Sequence, residues 1–270
     1  MSFKSGVYTG MPAPDYHAID ALSASGAKHL LRSAAHYLAQ KEKPMEPTAA
    51  MRLGTAVHTM ILEPEKADTE IARAPKLDKR TKIGKEFFEL FERENAGKLI
   101  LDADAYDKAA AIADAIYAHP AARDLLKDGQ SEVSMLWEAH GGIPCKARFD
   151  YYKGDGIIDI KTTQDASPDG FARNIAGFKY HMQAAHYLQG YREVTGWDAD
   201  HFTFIAVESE PPYAIGIYLL DEASLHTGRM LMEKAAAAFR QANEPSVWHG
   251  YSPDIQTISV PSWALLDPAW

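Results

Sequence analysis

The stretch from Ser131 to Lys161 constrains the fold most tightly, because it alternates apolar and polar residues around two glycine-containing turns. Residues 132–138 and 143–152 read as two strands joined through His140-Gly141-Gly142, and Gly154-Asp155-Gly156 turns the chain into a third, 157–161. Three strands joined this closely make an antiparallel meander. One such sheet cannot bury its own apolar residues, so it needs helices over it. Helical spacing recurs on both sides of it in the sequence. A helix capped by Ser23 or Ser25 is expected to run through Lys28 and Leu31 to Leu38, and a second to start near Ala49 and end before Pro64. Further helices are expected over 83–95, 103–118, 169–175, 180–194 and 222–241, with two more strands at 201–207 and 214–220. The expected class is therefore α/β (α+β), a central mixed sheet flanked by helices. One domain over 1–270 is expected, with a helical part to about 128, the sheet core at about 129–220, and a C-terminal helix and tail from 221.

Composition narrows the function. With 46% of its 270 residues apolar, the chain can bury a sizeable core. Its single cysteine, Cys145, rules out cofactors held by several thiolates and reads as a small apolar strand residue. No signal-peptide core precedes Leu22 and no apolar run approaches a membrane span, so a soluble, cytoplasmic protein with no membrane partner is expected. The formal charge of −9 argues against a protein that coats nucleic acid through a generally basic surface. Nucleic-acid binding would have to concentrate its cations locally.

The meander holds the candidate chemistry. Asp150 and Asp159 lie nine residues apart across the Gly154–Gly156 turn, on strands expected to be neighbours. Alternation puts Asp159 and Lys161 on one face of their strand and Ile158 and Ile160 on the other. Two carboxylates about 5 Å apart repel by roughly 3 kcal/mol at an effective dielectric of 20, a cost that a divalent cation removes. Oxygen ligands favour Mg2+, with Mn2+ as the alternative. Lys161 would then hold an attacking water or neutralise the charge of a pentavalent phosphoryl transition state. Spacing alone leaves a second reading open, in which Asp150 closes a strand and Asp159 and Lys161 form a surface ion pair.

The order Glu132, Asp150, Asp159-x-Lys161, Gln183-x-x-x-Tyr187, preceded by Gly54-Thr55-Ala56-Val57-His58-Thr59-Met60-Ile61-Leu62-Glu63-Pro64, resembles the RecE-type (exodeoxyribonuclease VIII-like) exonucleases of the PD-(D/E)xK nuclease superfamily. Further similar stretches are Arg80-Thr81 with Gly84-Lys85-Glu86, Tyr180-His181-Met182-Gln183 and Val260-Pro261-Ser262-Trp263. The resemblance implies the restriction-endonuclease-like core. It also implies His58, Asp150, Asp159 and the main-chain carbonyl of Ile160 as metal ligands and Lys161 as the catalytic lysine. Glu132 stands where related nucleases have an additional carboxylate, and Gln183 and Tyr187 would support the site or touch DNA. Phe149 occupies the position of the superfamily's signature proline. Without the resemblance, His58 reads as a packed core histidine and Glu132 as an exposed strand-end charge.

The densest positive run is Lys76, Lys79, Arg80, Lys82 and Lys85. Such a run is either a solvated face or a DNA-backbone contact, and Arg80, Lys82 and Lys85 are the candidate contacts. The expected activity is a Mg-dependent exonuclease that degrades linear double-stranded DNA. The resemblance implies 5′-to-3′ polarity with 3′ single-stranded tails left for recombination, a ring-shaped homo-oligomer (tetrameric in RecE-type enzymes), and a single-strand-annealing recombinase as partner. The alternatives are another nuclease of the superfamily, either an endonuclease or a RecB-like enzyme, and a non-catalytic DNA-binding module.

Overall fold

A computed structural model of the chain describes residues 4–43, 45–78, 80–139, 141–154, 156–243, 250–262 and 265. In chain order its first elements are β1 (Gly6–Tyr8), α1 (Ala13–Ala18), α2 (Ala24–Leu30), α3 (Ala34–Glu42), α4 (Ala49–Leu62), α5 (Ala67–Glu70) and β2 (Ile71–Arg73). There follow α6 (Lys82–Glu94), β3 (Leu99–Leu101), α7 (Ala103–Ala118), α8 (Pro120–Leu125), β4 (Gln130–Ala139), β5 (Ile143–Lys153) and β6 (Gly156–Thr163). The last are α9 (Pro168–Phe178), α10 (Tyr180–Thr195), β7 (His201–Glu208), β8 (Ile215–Leu219) and α11 (Glu222–Asn243).

The six-stranded sheet runs β1-β4-β5-β6-β7-β8. The expected meander is its centre: β4 pairs antiparallel with β5, and β5 with β6. Beyond it, β6 and β7 are parallel and β7 and β8 antiparallel. The parallel pair requires a crossover, which α9 and α10 supply. The sheet is therefore mixed and flanked by helices, the expected class. His140 and Asp155, in the two tight turns, lie outside the described residues, whereas Gly141 and Gly142 both take positive φ at the first turn.

Strand alternation sorts two cores. Cys145, Ala147 and Phe149 of β5 and Phe202, Phe204 and Ala206 of β7 face α2, α3, α10 and α11, through residues such as Leu30, Tyr37, Met182 and Ala236. Ile158, Ile160, Ile205 and Val207 face the opposite way, toward Val57 and Ile61 of α4 and Ile112 and Ile116 of α7. Cys145 is fully buried among the first group.

The helix expected through Leu38 is two helices. Ser23 accepts from Gly26 N and starts α2, but Ser33 accepts from His36 N and starts α3 afresh after a break at Leu31. A mid-pattern serine that bonds the backbone three residues on competes with helix continuation. The three-residue strands β1, β2 and β3 and the short helices α1, α5 and α8 were not expected, being too short to display a period. Through β1, the mainly helical N-terminal part also adds an edge strand beside β4.

Candidate active site

The site forms where β5 and β6 part. Their ladder runs through Lys153↔Gly156, Tyr152↔Ile157 and Tyr151↔Ile158 and then stops. At the next position the Asp150 carboxylate takes the place of a strand carbonyl, its Oδ2 accepting from Ile160 N at 2.7 Å. Phe149, at the position of the missing proline, is fully buried. On the other side of β5, Glu132 lies between the Ser131↔Tyr151 and Val133↔Phe149 pairs, directly across from Asp150. Its backbone is left-handed, with φ of 53° near the start of β4.

From the α4 side comes His58, whose Nε2 donates to the Ile160 carbonyl at 3.0 Å while its Nδ1 stands 3.7 Å from Asp150 Oδ2. Donor atoms of His58, Glu132 and Asp150 all lie within 4.8 Å of one another, the one such trio among the described residues. Ligands at adjacent corners of an octahedral magnesium site, each about 2.1 Å from the ion, stand about 3 Å apart. The His58 nitrogen and Ile160 oxygen already have that separation. Two carboxylates and a carbonyl are hard oxygen donors, and with a single borderline imidazole beside them the set fits Mg2+ or Mn2+. Burial, with the neighbouring Asp150 charge, raises the Glu132 carboxyl above the usual range, and burial raises Asp150 as well. A cation would favour the charged form of both.

From the α10 side comes Gln183, whose Nε2 donates to Asp159 Oδ1 at 2.7 Å. Asp159 Oδ2 meets Lys161 Nζ at 2.5 Å, and the side chains are 1% and 16% exposed. The pair is therefore buried, not the surface ion pair that spacing left open. Burial would lower the Lys161 ammonium, but the Asp159 and Asp150 carboxylates outweigh it and hold its pKa above the usual lysine value. Asp159 thus bonds Gln183 through one oxygen and Lys161 through the other, with a lone pair left on each, and stands beside the trio rather than in it. Tyr187, one turn beyond Gln183, packs against Phe149 with 5.1 Å between ring centres and bonds the Gln183 side chain. That places Tyr187 under the site, behind Gln183.

Sequence reasoning missed two cations here. Arg148 pairs with Glu132 and also donates to the Met11 carbonyl at 2.9 Å, tying the N-terminal segment to the third acidic group. Lys28 of α2 stands 5.4 Å from the centre of the Tyr180 ring, and Lys161 4.9 Å from the same centre. Burial, followed by repulsion from Lys161, pushes the Lys28 pKa down to about 8. An Arg two residues before an acid on a strand was a usable signal for Arg148, since the two share a face. A lysine on an amphipathic helix is no signal at all.

The candidate DNA contacts lie elsewhere. Arg80 is 91% exposed and bonded to Asp78 at 3.0 Å, Lys82 is 89% exposed and 3.8 Å from Glu86, and Lys85 is exposed in the first turn of α6. Lys79 and Trp263 lie outside the described residues. No helix among the described residues is long and apolar enough to cross a membrane.

Over residues 23–260 the chain matches the family model described as a PDDEXK-like domain of unknown function, DUF3799. Among solved structures it is similar to a protein of Eubacterium rectale described as a putative exonuclease, with 17% identity, a TM-score of 0.66 and 89% of each chain covered. That likeness shows the same arrangement of sheet and helices. A second, to a protein designated SSO0001, covers 52% of this chain and 70% of that one at 19% identity; its TM-score of 0.30 carries no argument. No curated protein matches the chain.

Proposed function

Since the chain belongs to the PDDEXK-like DUF3799 family, we propose that it is a magnesium-dependent exonuclease hydrolysing linear double-stranded DNA. One observation supports this above the others: a buried Asp159–Lys161 pair, held by Gln183, adjoins a trio of metal-donor side chains that includes two facing carboxylates. Burying an ion pair costs several kcal/mol per ion before its Coulomb energy is recovered, and facing like charges add to that cost. A site used for phosphoryl chemistry gives both features a reason.

His58, Glu132, Asp150 and the Ile160 carbonyl would hold the ion, with Asp159 completing the set through its free lone pairs. When bound, magnesium supplies charge neutralisation at the phosphoryl oxygens and an acidified water. Asp159 and Gln183 hold Lys161 in place. Its ammonium orients the water and stabilises the charge that builds on the phosphorus oxygens during in-line attack. Arg148, through Glu132, and Tyr187, through Gln183, act as supports. Arg80, Lys82 and Lys85 contact the DNA backbone.

The resemblance to RecE-type exonucleases supports the finer reading of 5′-to-3′ polarity, 3′ single-stranded products, a homo-oligomeric ring, tetrameric as in those enzymes, and a single-strand-annealing partner in the cytoplasm. The Eubacterium rectale protein described as a putative exonuclease shares the fold on which this reading rests.

The test is digestion, with magnesium, of linear duplex DNA labelled at its 5′ or its 3′ end, beside a closed circular duplex. Early release of the 5′ label, with the circle intact, is expected. Nicking of the circle would favour an endonuclease, and end binding without nucleotide release would favour a non-catalytic module.

A further inference from the structure

Immediately beyond Lys161 an open cavity of about 340 Å3 lies between the end of β6, the start of α4 and the α9–α10 junction. It falls within the size of ligand clefts, about 300–1,000 Å3. Two aromatic rings form part of its wall. Phe178 and Tyr180 lie 5.5 Å apart between ring centres and 26° from parallel, and Phe178 is 57% exposed. Lys179 between them takes the left-handed conformation, with φ of 57°, which ends α9 and starts α10. That junction aligns two rings that positions two apart on a continuous helix would turn to opposite sides.

The rest of the wall sets the apolar side chains of Ala50, Leu53 and Phe171 beside a polar group of residues. Thr162, Gln164 and Ser209 line it with side chains that make no hydrogen bond to other side chains among the described residues, while Asn174 donates to Thr163 and keeps its carbonyl oxygen. Cations crowd the edge shared with the active site: Lys161 and Lys28 both stand against Tyr180, and Lys179 is close enough to Lys28 to depress its ionisation. Aromatic faces, amide and hydroxyl groups, and a cationic rim together match one nucleotide unit. A duplex is too wide for such a space, and a single unstacked base is not.

We propose that this cavity receives the terminal nucleobase of the strand being cut, stacked on Phe178 and Tyr180 while its phosphate lies at Lys161. The assignment rests on the nuclease reading and adds to it a substrate preference: ends whose last pair opens readily are engaged first. Stacking on an aromatic face suits any base, so the subsite is tolerant of sequence.

The experiment uses the full chain with calcium in place of magnesium, and duplexes carrying the fluorescent base 2-aminopurine at the 5′ terminus, the 3′ terminus or well inside. Quenching on binding is expected at one terminus and not at the internal position. Phe178→Ala should lose that quenching and Phe178→Tyr should keep it. A duplex lacking the base at that terminus should bind the wild-type protein about tenfold more weakly. Quenching at neither terminus, or quenching and base dependence unchanged in Phe178→Ala, overturns the subsite. If the same preparation still releases nucleotides with magnesium, the nuclease reading survives that failure; no DNA binding and no release would overturn both. A variant that changes oligomeric state while quenching is retained would assign Phe178 to contact between copies and overturn the proposal.

Discussion

Lys161 and Asp159 set the energetics of the site at the scale of single residues. Removing one partner of a buried pair leaves the other charge uncompensated, at about 3–5 kcal/mol. Lys161→Met should therefore lower the melting temperature of the metal-free protein, by roughly 2–4 °C per kcal/mol for a chain of this size, and abolish turnover. It should still show the thermal stabilisation by magnesium that Asp150→Asn loses. Equal loss of that stabilisation in both variants, followed by calorimetry across a magnesium series, would contradict the division of roles. Lys28 gives a pH test. Its pKa of about 8 is set by burial and by Lys161, and it also faces Asp159, Lys179 and Tyr180. The ammonium is present below that value and lost above it, so catalysis that uses this charge should fall as pH rises through about 8. Lys28→Arg should move that alkaline limb upward, and Lys28→Met should cost about tenfold to a hundredfold in kcat/KM. An unaltered pH–rate profile in Lys28→Arg would exclude the role. Asp150, Asp159 and Lys161 were legible in the sequence because a tight turn and strand alternation fix their relation locally. Lys28 was not, because only the packing of α2 against α10 brings it to Tyr180.

Among the elements, β5 organises one whole side of the molecule. Lys146, Arg148 and Asp150 alternate with Cys145, Ala147 and Phe149, and the three charged residues have different tasks. Lys146 is 7% exposed, and its ammonium donates to the carbonyls of Tyr16, His17 and Ile19 at 2.9, 3.3 and 2.7 Å. Arg148 takes the Met11 carbonyl, and Leu22 exchanges main-chain hydrogen bonds with Pro144 and Lys146. The segment before α2 is thus fastened along β5 up to the acidic trio. Lys146→Met keeps the stem but strips the donors from buried carbonyls, so a loss of about 2–4 kcal/mol is expected. Chemical denaturation measures it, and a loss within experimental error would show that water replaces the ammonium. Helix α10 sits close by for a different reason: a Cβ at Gly190 would come within 2.6 Å of the Trp137 ring, so glycine is what lets the helix lie on β4. The sequence displayed the long periods of α7, α10 and α11 within a few residues, but not the break at Ser33 or the β1 pairing. Those depend on a cap competing with a helix and on a neighbour far along the chain.

For the whole molecule, a charge of −9 has to be reconciled with a polyanionic substrate. The basic run offers a local answer with a built-in cost. Lys82 and Lys85 occupy the first turn of α6, the positive end of its dipole, where cations are unfavourable by a few tenths of a kcal/mol each. Arg80, just before it, is held by Asp78, and Lys82 faces Glu86. Exposed pairs of this kind are screened by water and hold weakly, so a phosphate displaces the acid at little cost, and the helix end adds its own attraction for an anion. Each phosphate neutralised contributes about 0.9 to the slope of log K against log salt. Replacing Arg80, Lys82 and Lys85 together by alanine should therefore weaken duplex binding and reduce that slope by about two, somewhat under the full sum because Asp78 and Glu86 already offset part of that charge in the wild-type protein. Residual cleavage at low salt should persist, since the acidic trio and Lys161 are untouched. Binding measured by fluorescence anisotropy from low to moderate salt gives the slope directly. If it does not change, the run is a solvated face, and the cations that hold DNA are those around Tyr180.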